Sequence, residues 1–461
     1  MTETLSPTRW SDAQLEQMRH RTDPVADRAA EALFQSHNIR GVTKFLDFLA
    51  RNDSSVEVPL DGFSLPQGLK DYFNDLSHFQ FTEKEKELFD RVSDTFELFG
   101  PLIAANLAVR SLLKQYAATK ATNVLRITTL LTDFTDRRVT ETFQFVLDVM
   151  QKGWYLPTGR GIRSIQKLRL IHALIRHRIK HGMTSETQGK WDMAWGEPIN
   201  QEDMIFANQT FSCEVLEGLQ QVGIELSEEQ REDYFSAWVL IGKALGVDPS
   251  LEASNFAEGA ALQQQIYDRQ FTLPNHNAPP LAKALVKWLD NVIPFDVSEK
   301  SILTIVKYFN SPKEYHILED NLQLGSLMGL NDNLPQHLHH EIGMVHRDEF
   351  NHVQGAAPLT DADFAAGNYP FHVGLKIIEL FANKLLRGAF AHKRGSKSTS
   401  FQIDDALAEK WGLPGNEGIP KPDMPPFEPK KRHPLIQFFY DLGVWVMGLV
   451  VKVREWFQGK K

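Results

Sequence analysis

Apolar positions recur at steps of three and four along most of the chain, and sustained alternation of the strand type is missing. That pattern predicts an all-α protein, with any strands confined to short hairpins. Short helical patterns cover Asp12–Arg19, Pro24–Gln35 and Val42–Ala50, and Asp23-Pro24 has the form of an N-cap followed by a first-turn proline. Residues 52–82 are broken by Pro59, Gly62, Pro66 and Gly68 and read as a loop-rich connector. Thr82 with Glu85 is a capping-box start, and Leu88, Val92, Phe96 and Phe99 form the apolar row that follows. Gly100-Pro101 is expected to end that helix, with a second, more apolar one over Pro101–Thr119.

Arg137–Met150 is a further helix, on which Arg138, Thr142, Phe145 and Val149 fall in one row. An Arg and a Thr above apolar residues suit a polar patch in a greasy pocket. They equally suit a surface Arg and a Thr bonded to its own turn. Gly153-Trp154 and the run Pro157–Gly161 then turn the chain into Ser164–His181, where Leu168, Ile171, Ile175 and Ile179 mark an expected buried stripe with His172 beside it. Downstream, Gly196 and Pro198 form a turn, Asn200 is an N-cap with Asp203 behind it, and Leu226–Val247 is a helix. That helix opens on Ser227 and Gln230, carries the row Tyr234, Trp238, Ile241 and Leu245, and stops at Gly246 before Pro249.

Charge changes the picture at one place. The chain has 461 residues and a net charge of -9, yet Arg160–His181 holds Arg160, Arg163, Lys167, Arg169, Arg176, Arg178 and Lys180 without an acid. An inward imidazole needs an acceptor or a metal for its ring nitrogens. One such histidine among cations suits an iron porphyrin, whose iron takes a neutral imidazole and whose propionates take cations. On spacing alone the plainer reading, a core histidine held by hydrogen bonds, is the better one. Overall acidity argues against nucleic acid as a partner. One cysteine, Cys213, leaves no intramolecular disulfide, cysteine-rich zinc site or iron–sulfur cluster, and any metal must rely on Asp, Glu and the 16 His. The N-terminal MTETLSPTRWSDAQLEQM has no apolar core, so a cytoplasmic setting is expected.

Beyond residue 300 the pattern thins. Ser301–Phe309 and Phe371–Phe390 are helical, and between them lie His337, His339, His340, His346 and His352. Glu349 and His352 have an E-x-x-H spacing without a second such pair in this region, so the cluster reads as a polar loop or an oligomer contact. Residues 412–434, with Pro414, Pro420, Pro422, Pro425, Pro426, Pro429 and Pro434, read as an extended linker. Leu435–Phe457 is a strongly apolar helix with Lys452 and Arg454 near its end; its apolar part, the 17 residues Leu435–Val451, is at the lower limit of bilayer-spanning length and is interrupted by Asp441. It is expected to lie at a membrane interface or act as a marginal tail anchor, or else to dock on protein, and a peripheral position at the inner membrane follows from the first option.

Four stretches occur in order and at close spacing: RRVTETFQFVLDVM, QKLRLIHALIRHRI, WGEPINQEDMIFANQTFS and WVLIGKALGV. Together they resemble the catalytic domain shared by latex-clearing proteins, the bacterial rubber oxygenases, and the fungal membrane-bound oxygenase of mycophenolic acid synthesis. The resemblance covers roughly residues 85–300, and Asp23–Asp27 is similar to the start of the same family. It implies a b-type haem in an all-α fold with a globin-like core, and O₂ as co-substrate. It implies His172 of Arg169-Leu170-Ile171-His172 as the iron's axial ligand, Arg169 at the cofactor, and Arg138 and Thr142 beside the haem pocket. In rubber-cleaving members a lysine precedes that Thr, and a carboxylate upstream serves as base. Here the first position is Glu141, and Ser111–Thr132 holds no acid, the nearest being Asp133 and Asp136. The expected substrate is therefore a smaller lipophilic one, an isoprenoid or unsaturated fatty-acyl chain. The other class in view is a non-catalytic haem- or lipid-binding protein, such as a gas or redox sensor, against which no output domain stands out. The expected organisation is a helical extension over 1–84, the catalytic domain over 85–300, a helical part over 301–411, the linker over 412–434 and the apolar helix over 435–461.

Overall fold

The computed structural model describes residues 9–38, 41–42, 45, 64–127, 135–157, 159–182, 190–292, 305–307 and 309–324, and every element among them is helical. The histidine cluster, the proline-rich linker and the apolar C-terminal helix lie outside the described residues. In chain order the helices are α1 (Asp12–Met18), α2 (Pro24–Ser36), α3 (Gln67–Asn74), α4 (Glu83–Asn106), α5 (Leu112–Ala117), α6 (Thr122–Ile127), α7 (Thr135–Met150), α8 (Arg160–Lys180), α9 (Gln201–Phe211), α10 (Cys213–Gln221), α11 (Glu228–Ala244), α12 (Phe256–Gln270), α13 (Ala278–Val292) and α14 (Pro312–Leu322).

Local chemistry sets most starts. Thr82 and Ser227 make reciprocal capping boxes with Glu85 and Gln230, and the Asn200 side chain accepts from the Asp203 amide at 3.0 Å. Asp23 caps α2, with Pro24 in its first turn. Gly246 ends α11 at φ +88°, a left-handed conformation that glycine adopts without strain.

Two expectations are corrected. The 52–82 connector contains α3, whose Leu69, Tyr72 and Phe73 are buried; a polar pattern cut by Pro66 and Gly68 hides a helix that packs on α2. Nor does Pro101 end α4, which runs through it to Asn106 and into a π-helical stretch, Leu107–Ser111. An interior proline costs about 3 kcal/mol. Burying Leu102, Ile103 and Leu107 returns roughly 1.5–3 kcal/mol each, so packing wins. Glu83–Ala117 is long and apolar enough to cross a membrane, but 78% of its apolar window is buried inside the protein. It is the spine of the main core, flanked by α7, α10 and α11.

A third correction concerns α8. Of Leu168, Ile171, Ile175 and Ile179 only Ile179 is fully buried, the others being half-buried. The sealed row is Leu170, Ala173 and Leu174, which meets Ala26, Ala29, Ala30 and Leu33 of α2. α8 is apolar on two faces, and α2 closes the one without His172.

Candidate active site

The candidate residues lie on one helical hairpin, α7 running to the turn and α8 returning beside it. Asp148, 3% exposed, fixes their register. Its carboxylate accepts from Arg160 Nε at 2.9 Å, Gln144 Nε2 at 2.7 Å and the Ser164 hydroxyl. Three donors replace the water a buried carboxylate has lost. Position 138 lies ten residues before Asp148, and position 172 lies twelve and eight residues after its partners Arg160 and Ser164, so the two fall at similar heights on the antiparallel helices. Helix periodicity puts both on the same flank of the pair. The side chain of Arg138 is outside the described residues, Thr142 one turn on is half-buried, and Glu141 falls on the face of α7 that carries Asp148.

His172 is half-buried, between half-buried Leu168 and Ile175 on its face of α8. Ile175 and Ile179 continue that face into a small apolar cluster with Val124 and Ile127 of α6 and the half-buried Trp191, Trp195 and Ile199. This cluster is separate from the main core, which is what an apolar wall beside a site requires.

The basic residues of α8 divide by what they hold. Arg169 is buried and bound to protein groups. It gives Nε and Nη2 to the Asp23 carboxylate, the second at 2.8 Å, and Nη1 to the Ala244 carbonyl at 3.3 Å. Burial would lower its pKa, and the hydrogen bonds and charge of Asp23 outweigh that and raise it. Arg169 is thus the anchor of α8 against α2 and the end of α11. Arg176, 2% exposed, gives Nε to Asp27 at 2.7 Å and Nη1 to the Ile199 carbonyl at 2.7 Å, while its buried Nη2 has no acceptor. It stands one helical turn after His172. An imidazole, an unmatched buried guanidinium nitrogen and apolar walls together fit an iron porphyrin with its carboxylates.

Sequence reading missed a second polar cluster, because its members come from four separated elements. Arg110, at the π-helical stretch, reaches Glu314 of α14 at 2.6 Å, Glu217 of α10 at 2.8 Å and the Phe309 carbonyl at 2.9 Å. Lys114 bridges Glu214 at 2.7 Å and Glu314 at 2.6 Å, and Tyr267 of α12 donates to Glu214. Glu214, Glu217 and Glu314 lie close enough together for a metal, but the ammonium and guanidinium already supply the positive charge.

The comparisons agree with this architecture. The family model for the catalytic domain of the ER-bound oxygenase mpaB/B' and rubber oxygenase matches residues 94–330. The rubber oxygenase of Streptomyces sp. (strain K30) is 23% identical over 247 residues, which span 53% of this chain and 58% of that protein. The chain thus matches little more than half the length of that relative. The solved structure of latex clearing protein in its closed state superposes with a TM-score of 0.58 at 18% identity, covering 81% of this chain and 91% of that one, a likeness of fold. Its all-α architecture and this family match make the chain a member of the mpaB/rubber oxygenase catalytic domain family.

Proposed function

We propose that this chain is an oxygenase that holds a b-type haem through His172 and adds O₂ to, or cleaves, a C=C bond of a lipophilic unsaturated substrate. The observation that carries the reading is the level, same-flank placement of positions 138 and 172, on a half-buried apolar face with an unmatched cationic nitrogen one turn away.

When bound, haem supplies activation of O₂, which no protein side chain provides. His172 supplies the axial nitrogen. Asp148 and the Asp23–Arg169 pair hold α8 at fixed height and rotation, so the imidazole is placed before the group arrives. Arg138 and Thr142 orient dioxygen or the cofactor through charge-assisted and hydroxyl hydrogen bonds. Val124, Ile127, Trp191 and Trp195 shed water and receive hydrocarbon. Glu141 stands where rubber-cleaving members carry lysine, which favours an isoprenoid or fatty-acyl chain over polymer. If the chain is cytoplasmic, the apolar sequence Leu435–Val451 offers a route to such a lipid at the inner membrane.

The haem-loaded chain incubated with an isoprenoid alcohol or an unsaturated fatty acid under ¹⁸O₂ should give products carrying ¹⁸O. Arg138→Ala should slow their formation on the order of a hundredfold. A loaded protein that consumes no O₂ and labels neither substrate class would sink the reading.

A further inference from the structure

Ile199 has φ +51°, in the left-handed region that a β-branched residue avoids. Its neighbours hold it there. The Asn200 side-chain Nδ2 donates to the Glu197 carbonyl at 2.8 Å and to the Asp203 carboxylate at 2.8 Å. Trp191 Nε1 donates to the Gly196 carbonyl at 2.8 Å, and the Glu197 amide donates to the Arg19 carbonyl at 2.7 Å. Arg19 Nε donates to the Trp195 carbonyl at 3.1 Å, Lys180 pairs with Glu197 at 2.9 Å, and the Ile199 carbonyl accepts from Arg176 Nη1 at 2.7 Å. Arg176 is therefore shared between Asp27 of α2 and this strained segment, and its third nitrogen is buried without an acceptor. Backbone strain beside an unmatched buried cation marks a place completed by a ligand.

We propose that Arg176 is a carboxylate-binding residue of the His172 site, and that it couples ligand occupancy to the segment Trp191–Asn200 through the Ile199 carbonyl. The guanidinium is planar and rigid, so a carboxylate on Nη2 fixes the plane that also carries Nη1. Fixing Nη1 fixes the strained carbonyl, and with it the segment whose Trp191 and Trp195 wall the apolar cluster. The carboxylate has two possible sources, an acid group of the porphyrin or the free acid of a fatty-acyl ligand. The proposal rests on the reading of the His172 face given above.

The test is hydrogen exchange of residues 191–200 in the full chain purified without haem. Three probes are added separately: haemin, haemin dimethyl ester and oleate. Haemin should slow exchange roughly fivefold or more, and the diester, which lacks free carboxylates, should bind with a Soret band yet leave exchange unchanged within about twofold. Protection by oleate alone would assign the carboxylate to a fatty-acyl ligand. Arg176→Gln should keep a Soret band with haemin and lose the protection; if that variant does not fold, the haemin and diester comparison on wild type decides. Equal protection by haemin and its diester overturns the proposal. A Soret band with haemin but no protection by haemin or oleate overturns the coupling and leaves the haem reading standing. No Soret band and no protection by any probe overturns both.

Discussion

At the scale of single residues, one of the buried contacts that hold the His172 helix is made from three distant places. Asp23 is 2% exposed and Arg169 5% exposed, and the pair sits against the turn at Gly246. A Cβ at position 246 would stand 2.6 Å from the Asp23 carboxylate and 2.8 Å from Arg169 Nε, at a φ of +88° that opposes any side chain. Gly246→Ala is therefore predicted to destabilise by about 1–3 kcal/mol. Asp23→Ala, which strands a buried guanidinium, should cost more, about 3–5 kcal/mol. Urea denaturation of both variants checks the order, and a Gly246→Ala protein as stable as wild type would contradict the packing described. The N-cap role of Asp23 was legible in the sequence from Asp23-Pro24. Its pairing with Arg169 was not, because nothing local says that a capping carboxylate has a second oxygen turned to a helix far along the chain. For the same reason the Asp23 and Ala244 partners of Arg169 were not legible. The motif marks the residue, and only three-dimensional packing shows what its guanidinium holds.

At the scale of elements, capping and periodicity were readable and long-range polar contacts were not. The starts at Thr82, Asn200 and Ser227 follow from side chains within one turn. Pro101 misled because its local cost is offset by burial that the sequence does not display. The Arg110–Lys114–Glu214–Glu217–Glu314 cluster was invisible for the same reason, and it has a consequence for pH. Burial, with Glu214 close by, pushes Glu217 up to about 7 against the opposing charges of Arg110 and Lys114. For Glu314, burial acts upward, but Arg110 and Lys114 outweigh it and hold this carboxyl well below the usual range. The folded chain thus keeps a proton on Glu217 that the unfolded chain releases from about 4.5 upward. The associated stability is present below that value and is lost as pH rises through about 7. Glu217→Gln should flatten the fall in melting temperature between pH 5 and 8, measured beside wild type. A variant that melts in parallel with wild type across that range would refute the assignment.

At the scale of the whole molecule, α8 is covered by α2 on one face and left half-buried on the other, and the proposed site rests on that asymmetry. The sequence pointed to His172 and to an all-α fold, and the family match bears out the second. It could not say which apolar face of α8 is sealed, since both repeat at helical spacing. The roles of His172, Arg138 and Thr142 rest on the placement of the hairpin and on the family's pattern. The central claim is that His172 is the axial ligand of a haem. The most direct measurement is the visible absorption spectrum of haem-reconstituted wild type beside that of His172→Ala. The account predicts a Soret band in wild type that is lost or displaced in the variant. A wild-type protein without the band, or a variant with an identical spectrum, would contradict it.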